Sequence, residues 1–206
     1  YDLLTDKLRT TALARQVGVP VPDERAATTV DAGAAAAEQF GYPVVLKPAR
    51  SRDPASPMVR RVVRMVHDQP SLAAALPDML SGGQVAVQRF LPGRGVGVEV
   101  LLDRGRCVLA FQHVRLHEPP AGGGSSYRLG VPIQPELLDA ALRMLQPLGY
   151  TGVAMAEFRV DERAGRWALL EVNPRLWGSL PLAVASGADF PMAMFRLLTG
   201  FSSGPA

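Results

Sequence analysis

The residues best placed to do chemistry lie in two neighbouring runs, Val153-Ala-Met-Ala-Glu-Phe-Arg-Val-Asp161 and Leu169-Leu-Glu-Val-Asn-Pro-Arg175. Both alternate with the period of two that marks strands. A three-residue loop at Arg163-Ala-Gly165, with Gly165 left-handed, pairs Glu162 with Arg166. Carried back along the hairpin, that register sets Glu157 opposite Glu171 and Met155 opposite Asn173. These four side chains then share one face, and Ala156, Phe158, Val160, Ala168, Leu170 and Val172 form the opposite, core face. Two carboxylates directly across a strand pair repel unless a cation lies between them. Together with an amide oxygen they are hard ligands that leave positions open for phosphate oxygens and water, as magnesium requires. The same pattern also describes a solvated hairpin face with ordinary surface glutamates. Pro174 ends the strand, Arg175 reaches the same edge, and a helix start at Gly178-Ser179 offers free N–H groups. Carboxylates, cation and helix terminus together suit a triphosphate. On this reading Glu171→Gln leaves folding intact and relieves repulsion in the metal-free protein.

Elements earlier in the chain must bring a counter-charge to that face. Helical spacing predicts a helix over 6–17, stopped by Gly18, Pro20 and Pro22, and a second from an Asp31 N-cap to Phe40. The short strand 42–48 carries Lys47, an ammonium in an apolar run that calls for an anion. Residues 50–57 read as a loop, 60–66 as a strand, 71–80 as a helix and 84–90 as a strand. Residues 96–102 and 106–114 flank the turn Asp103-Arg-Gly105 as a hairpin, and 118–126 reads as an exposed, mobile loop. Helices follow at 135–148, 178–186 and 191–198, on either side of the hairpin 151–173. This order suggests two α+β lobes, 1–88 and 89–206, with a ligand cleft between antiparallel sheets.

Composition narrows the class. The 206 residues are 48% hydrophobic and 20% charged, enough for one substantial core or two small lobes. The net charge is only +3, so no basic tract implies nucleic acid. One cysteine, Cys107, excludes an internal disulfide, and no apolar run approaches a membrane span, so the expected setting is the cytoplasm. Tyr1 opens the chain without methionine or leader, and a preceding segment is expected. His67, His113 and His117 lack metal-ligand spacing and read as ordinary strand or loop histidines.

The hairpin runs resemble the metal-binding strands of the ATP-grasp superfamily. Other pieces agree in order: Thr5-Asp-Lys7 with Gly18-Val-Pro-Val-Pro22, Gly41-Tyr-Pro-Val-Val-Leu-Lys-Pro48, and Val87-Gln-Arg-Phe-Leu-Pro-Gly93 as the hinge over adenine. The resemblance covers nearly the whole chain and implies an ATP-grasp fold binding ATP with magnesium, or manganese in its place. It implies that Lys47 and Lys7 contact phosphate, and that the hinge of Gln88, Arg89, Phe90 and Leu91 addresses adenine. Met155 would line the pocket, while Glu157, Glu171 and Asn173 would hold the metal. Arg175 would face the transferred phosphoryl group or the substrate. The segment 113–126 resembles a form found in relatives of the carbamoyl phosphate synthetase large chain, with Arg115 and Arg128 as charge stabilisers.

The sequence departs from the family pattern in three places. No glycine lies in 50–57, where many members close a glycine-rich loop over phosphate. Gln88 stands where many have a hinge glutamate, and Arg94-Gly95 replaces an acidic ribose ligand, with Glu99 a weak substitute. The N-terminal domain that relatives carry before Tyr1 is missing. The implied activity is a carboxylate-amine ligase: ATP phosphorylates a small-molecule carboxylate, and an amine attacks the acyl phosphate. A bicarbonate-phosphorylating or carbamoyl-phosphate-type enzyme, an ATP-grasp kinase and a non-catalytic nucleotide-binding module are the alternatives.

Overall fold

The computed structural model describes residues 2–50, 52–53, 56–118 and 127–201. Two helices open the chain, α1 (Asp2–Thr5) and α2 (Lys7–Gln16). The Asp6 side chain caps α2 by accepting from the Arg9 N–H, so the helix starts where a carboxylate meets its orphan donors. Next come β1 (Glu24–Ala27), α3 (Val30–Phe40), β2 (Val44–Pro48), β3 (Arg52–Asp53), β4 (Ser56–Arg60), β5 (Arg64–Val66), α4 (Gln69–Ser81) and β6 (Val85–Arg89). The second half holds β7 (Arg94–Asp103), β8 (Arg106–His117), β9 (Tyr127–Gly130), α5 (Pro135–Leu145), β10 (Gly152–Asp161), β11 (Arg166–Asn173), α6 (Leu180–Ala185) and α7 (Phe190–Thr199).

Several expected boundaries shift for identifiable reasons. Thr29, not Asp31, caps α3, because its hydroxyl reaches the Ala32 N–H while Asp31 lies in the first turn. The expected loop 50–57 contains the small β3–β4 hairpin, and the expected strand 60–66 is split between β4 and β5. The first hairpin turns through Arg104 and Gly105, both at positive φ, in the two-residue form that matches strand twist. Beyond Glu118 the mobile loop expected at 118–126 lies outside the described residues, and β9, too short to show a period, follows it.

Two antiparallel sheets result. A four-stranded sheet runs β1-β6-β2-β5 and a five-stranded sheet β11-β10-β7-β8-β9, with β3-β4 as a separate pair. Helices α3 and α4 cover one face of the first, burying Leu46, Val85, Val87, Leu72 and Leu76. Gly33 of α3 meets Leu76 of α4 so closely that a Cβ would collide with it. Helix α5 buries Leu137, Ala140, Ala141, Met144 and Leu145 against the second sheet, an i, i+3, i+4, i+7, i+8 stripe. The opening helices, which chain order places with the first lobe, send Leu4 and Ala14 into this same core, joined by Val19 beyond them. The opposite face of the second sheet looks towards the cleft, and Trp177 before α6, Ala183 of α6 and Phe190 of α7 cover part of it.

The hinge joining the two sheets is fixed by a close backbone approach. Gly93 has φ 112°, and a Cβ there would collide with the Val160 carbonyl of β10. Gly178, by contrast, has nothing within 4 Å of an added Cβ. Gly93→Ala is therefore expected to lower stability by about 2 kcal/mol or more, through strain and displacement of the hinge. Gly178→Ala should stay within about 0.5 kcal/mol. Denaturant unfolding of the two variants beside the parent checks this; equal stabilities would show that the approach is not constraining.

Candidate active site

The metal-ligand register expected for the second hairpin is present: Glu157 pairs with Glu171 and Met155 with Asn173. It is reached by a different route. The turn holds four residues, so Asp161, not Glu162, pairs with Arg166, and Leu170 is an extra residue that restores the register. The bulge corrects the expected core face: Leu169 and Trp167 pack with Phe158 and Val160, where Leu170 and Ala168 were expected. At the bulge the Leu170 carbonyl accepts from Lys47 Nζ at 3.4 Å, a direct bond between the two sheets.

Cations ring the two carboxylates. Lys47 is 7% exposed, and burial pulls its ammonium below the ordinary lysine range, against the pull of Glu171 and Glu24. Lys7 is 9% exposed, and its Nζ lies 3.8 Å from Glu171 Oε2, so the helix that opens the chain delivers a buried charge. Arg115 of β8 forms an ion pair with Glu157. Asn173 donates its amide to Glu171 Oε1 at 2.9 Å, while its Oδ1 accepts from Arg175 at 3.0 Å.

The two carboxyls differ in consequence. Burial and then the charge of Glu171 push Glu157 above the usual carboxylate range, despite Arg115. Burial also pushes Glu171 up, but Lys7, the Asn173 amide and Lys47 outweigh it and hold Glu171 below that range. The repulsion therefore falls on Glu157. Neutralising Glu171 in the metal-free protein removes a carboxyl that Lys7, the Asn173 amide and Lys47 already hold.

Two glycines on β7 let β8 reach β10. Gly97 is the register partner of both Glu157 and His113, and an added Cβ there would collide with His113 Cε1. At Gly95 a Cβ would meet Arg115 Cδ at 2.6 Å. His113 and Arg115 thus lie across bare backbone towards Glu157. His113 is no ordinary strand histidine: it is 2% exposed and its Nδ1 lies 2.6 Å from Glu99 Oε1. Glu99 is wholly buried with Oε2 unpartnered, so it is not placed as an accessible ribose ligand. Only the alternation Gly95-Val-Gly97-Val-Glu99 hinted at this arrangement.

The remaining candidates divide. Arg128 pairs in register with Arg115 and makes no hydrogen bond or ion pair with the described residues, while burial and then Arg115 lower its pKa. At the hinge, Arg89 turns away from the cleft, bonding Asp23 and the Phe40 carbonyl and stacking on the Phe40 ring. Its N–H is taken by the Asp23 carbonyl. Phe90 is half-buried beside it. The Leu91 carbonyl accepts from Arg159 Nε, and neither the Phe90 nor the Leu91 N–H has a backbone partner among the described residues. Gln88 faces the cleft with Lys47. Met155 packs with Leu101, Val153, Trp177 and Phe190. Among the described residues no three His, Cys, Asp or Glu side chains group as metal ligands, and the oxygen groups gathered at this point are two carboxylates and an amide. That hard-oxygen set, with its repelling pair, fits magnesium or manganese. No helix among the described residues is long and apolar enough to cross a membrane.

Two cleft-facing antiparallel sheets carry a lysine on one and opposed carboxylates on the other, and comparison gives the family. Residues 6–117 match the family described as carbamoyl-phosphate synthase L chain, ATP binding domain. Residues 83–205 match that described as ATP-grasp in the biosynthetic pathway with Ter operon. The chain belongs to the ATP-grasp superfamily. It is 26% identical over 214 residues to a carbamoyl phosphate synthase large chain of Xylella fastidiosa, covering 97% of this chain and 19% of that one. It is 33% identical over 180 residues to a D-alanine–D-alanine ligase of Ruegeria sp., covering 83% and 56% respectively. A biotin carboxylase from Campylobacter jejuni, solved as a βγ-ATP complex, superposes with TM-score 0.79 at 21% identity over 99% of this chain and 48% of that one. The fold matches the one expected, and the chain spans only part of these relatives.

The opposite shifts of the two carboxyls give a signed test. Glu157, with its raised pKa, binds its proton more tightly when folded, so its contribution falls as pH rises from the ordinary carboxylate range through the raised value. Glu171, with its lowered pKa, contributes stability above the ordinary range and loses it as pH falls through the lowered value. Thermal unfolding of the metal-free protein between about pH 3 and 8 should show Glu157→Gln gaining on the parent as pH rises, and Glu171→Gln falling behind. Two variants that track the parent throughout would show that the pair is not coupled.

Proposed function

We propose that the chain is the ATP- and magnesium-dependent core of a carboxylate-amine ligase. One observation carries the reading: Glu157 and Glu171 stand in direct register on the cleft face, ringed by Lys7, Lys47 and Arg115. Such a ring suits a polyanion carrying a divalent metal. Magnesium, held by Glu157, Glu171 and Asn173, would neutralise charge on the phosphates. The kinship with D-alanine–D-alanine ligase and carbamoyl phosphate synthase supports ligase chemistry over other uses of the fold.

Each residue's part follows from its surroundings. Lys47 and Lys7 bind the phosphate oxygens, and Lys47, being desolvated, gains most from an incoming anion. Arg115, paired with Glu157, would be available to the transferred phosphoryl group if a metal were held by that carboxylate. Arg175, already beside Asn173, is placed to orient the acceptor carboxylate. Arg128 adds charge where negative charge accumulates. The hinge from Gln88 to Leu91 takes the base. Phosphoryl transfer to a carboxylate gives an acyl phosphate, and an amine then displaces phosphate. Positioning and charge are all the protein must supply, so no protein nucleophile enters.

Calorimetry on this chain should show ATP binding that requires magnesium, weakened by about tenfold or more in Glu171→Gln and in Glu157→Gln. Binding indifferent to magnesium, or unchanged in both variants, would remove the metal site. In the full-length protein, release of ADP and phosphate only when carboxylate and amine are both present identifies the ligase. A phosphorylated product identifies a kinase, turnover with bicarbonate a carbamoyl-phosphate-type enzyme, and no turnover a binding module.

A further inference from the structure

We infer that Glu24 sets the base selectivity of the nucleotide site, by fixing Gln88 so that its amide oxygen accepts from a 6-amino purine. The inference rests on the reading of the hinge as the base subsite. Glu24 of β1 and Gln88 of β6 are register partners, on the face of the sheet that carries Lys47. Gln88 is 3% exposed, and its Nε2 donates to Glu24 Oε2 at 3.2 Å.

An ionised carboxylate only accepts hydrogen bonds, so it dictates which end of a neighbouring amide faces it. The Gln88 NH2 group must point to Glu24, and Oε1 must point away. Oε1 makes no hydrogen bond with the described residues. Burial pushes the Glu24 carboxyl above its usual range, and the neighbouring Thr11 hydroxyl with the charges of Lys47 and Arg15 act the other way, towards the ionised form. The amide is thus a polarised element with a fixed acceptor end, at the first residue of the hinge. Adenine presents an amino donor at position 6, while hypoxanthine and guanine present a carbonyl there. A fixed acceptor pairs with the first and opposes the second, leaving two buried acceptors face to face. Glu24 is a positioning residue, since it acts through Gln88.

The test compares magnesium-dependent binding of ATP and inosine triphosphate, which differ at position 6, by calorimetry on the parent, Glu24→Gln and Gln88→Met. Thermal unfolding is recorded on the same samples. The parent should prefer ATP by on the order of tenfold or more. Glu24→Gln has an amide that donates as well as accepts, so Gln88 is free to turn over. The preference should fall several-fold, mainly through tighter inosine triphosphate binding, a change that general loosening of the fold does not produce. Gln88→Met should lose the preference too, and it carries the test if Glu24→Gln fails to fold. A parent that binds both nucleotides equally, or variants as selective as the parent, would overturn the inference while leaving the nucleotide site standing. A parent that binds neither overturns both.

Discussion

Everything in the cleft is arranged around the opposition of Glu157 and Glu171. Two carboxylates fixed across one strand pair are unfavourable in a sparsely solvated site unless positive charge surrounds them. The chain meets that requirement from three directions: Lys7 from the opening helix, Lys47 from the four-stranded sheet and Arg115 from the far side of β7. Each of these cations is drawn out of water by its partners, so cations and carboxylates stabilise one another's burial. The architecture exists to bring these three elements to one point.

The same constraint explains which local features matter. β7 is bare at Gly95 and Gly97 because β8 side chains must cross it to reach β10. The opening helices abandon the neighbouring four-stranded sheet and pack in the core of the five-stranded one, which seats Lys7 beside β11. The Asp6 carboxylate lies 3.5 Å from Arg50, tying the same helix to the segment after β2. Charges from distant parts of the chain are thereby held to common neighbours, without a glycine-rich loop in 50–57.

How much of this was legible in the sequence depended on the range of each interaction. The Glu157–Glu171 pairing follows from alternation and parity within one hairpin, and the Arg104-Gly105 turn from local backbone preference. The α3 cap at Thr29 was missed because two capping residues lie two positions apart and only geometry chooses between them. The Glu99–His113 pair, the crossing of Arg115 over β7 and the Glu24–Gln88 contact join separate strands, and no short-range period encodes such partners. For the same reason the sequence could not pair Lys7 with Glu171.

The bulge at Leu170 has a consequence for how this hairpin tolerates change. In this sequence a four-residue turn plus one extra residue in β11 gives the same pairing of the two glutamates as a three-residue turn with none. What the site constrains is that pairing, and turn length and bulge are two ways of reaching it. Loss of the bulge residue from β11 leaves both carboxylates in the cleft. Re-pairing the strands without the bulge while the four-residue turn and Leu170 stay sets Leu170 opposite Glu157 and turns Glu171 into the hydrophobic layer.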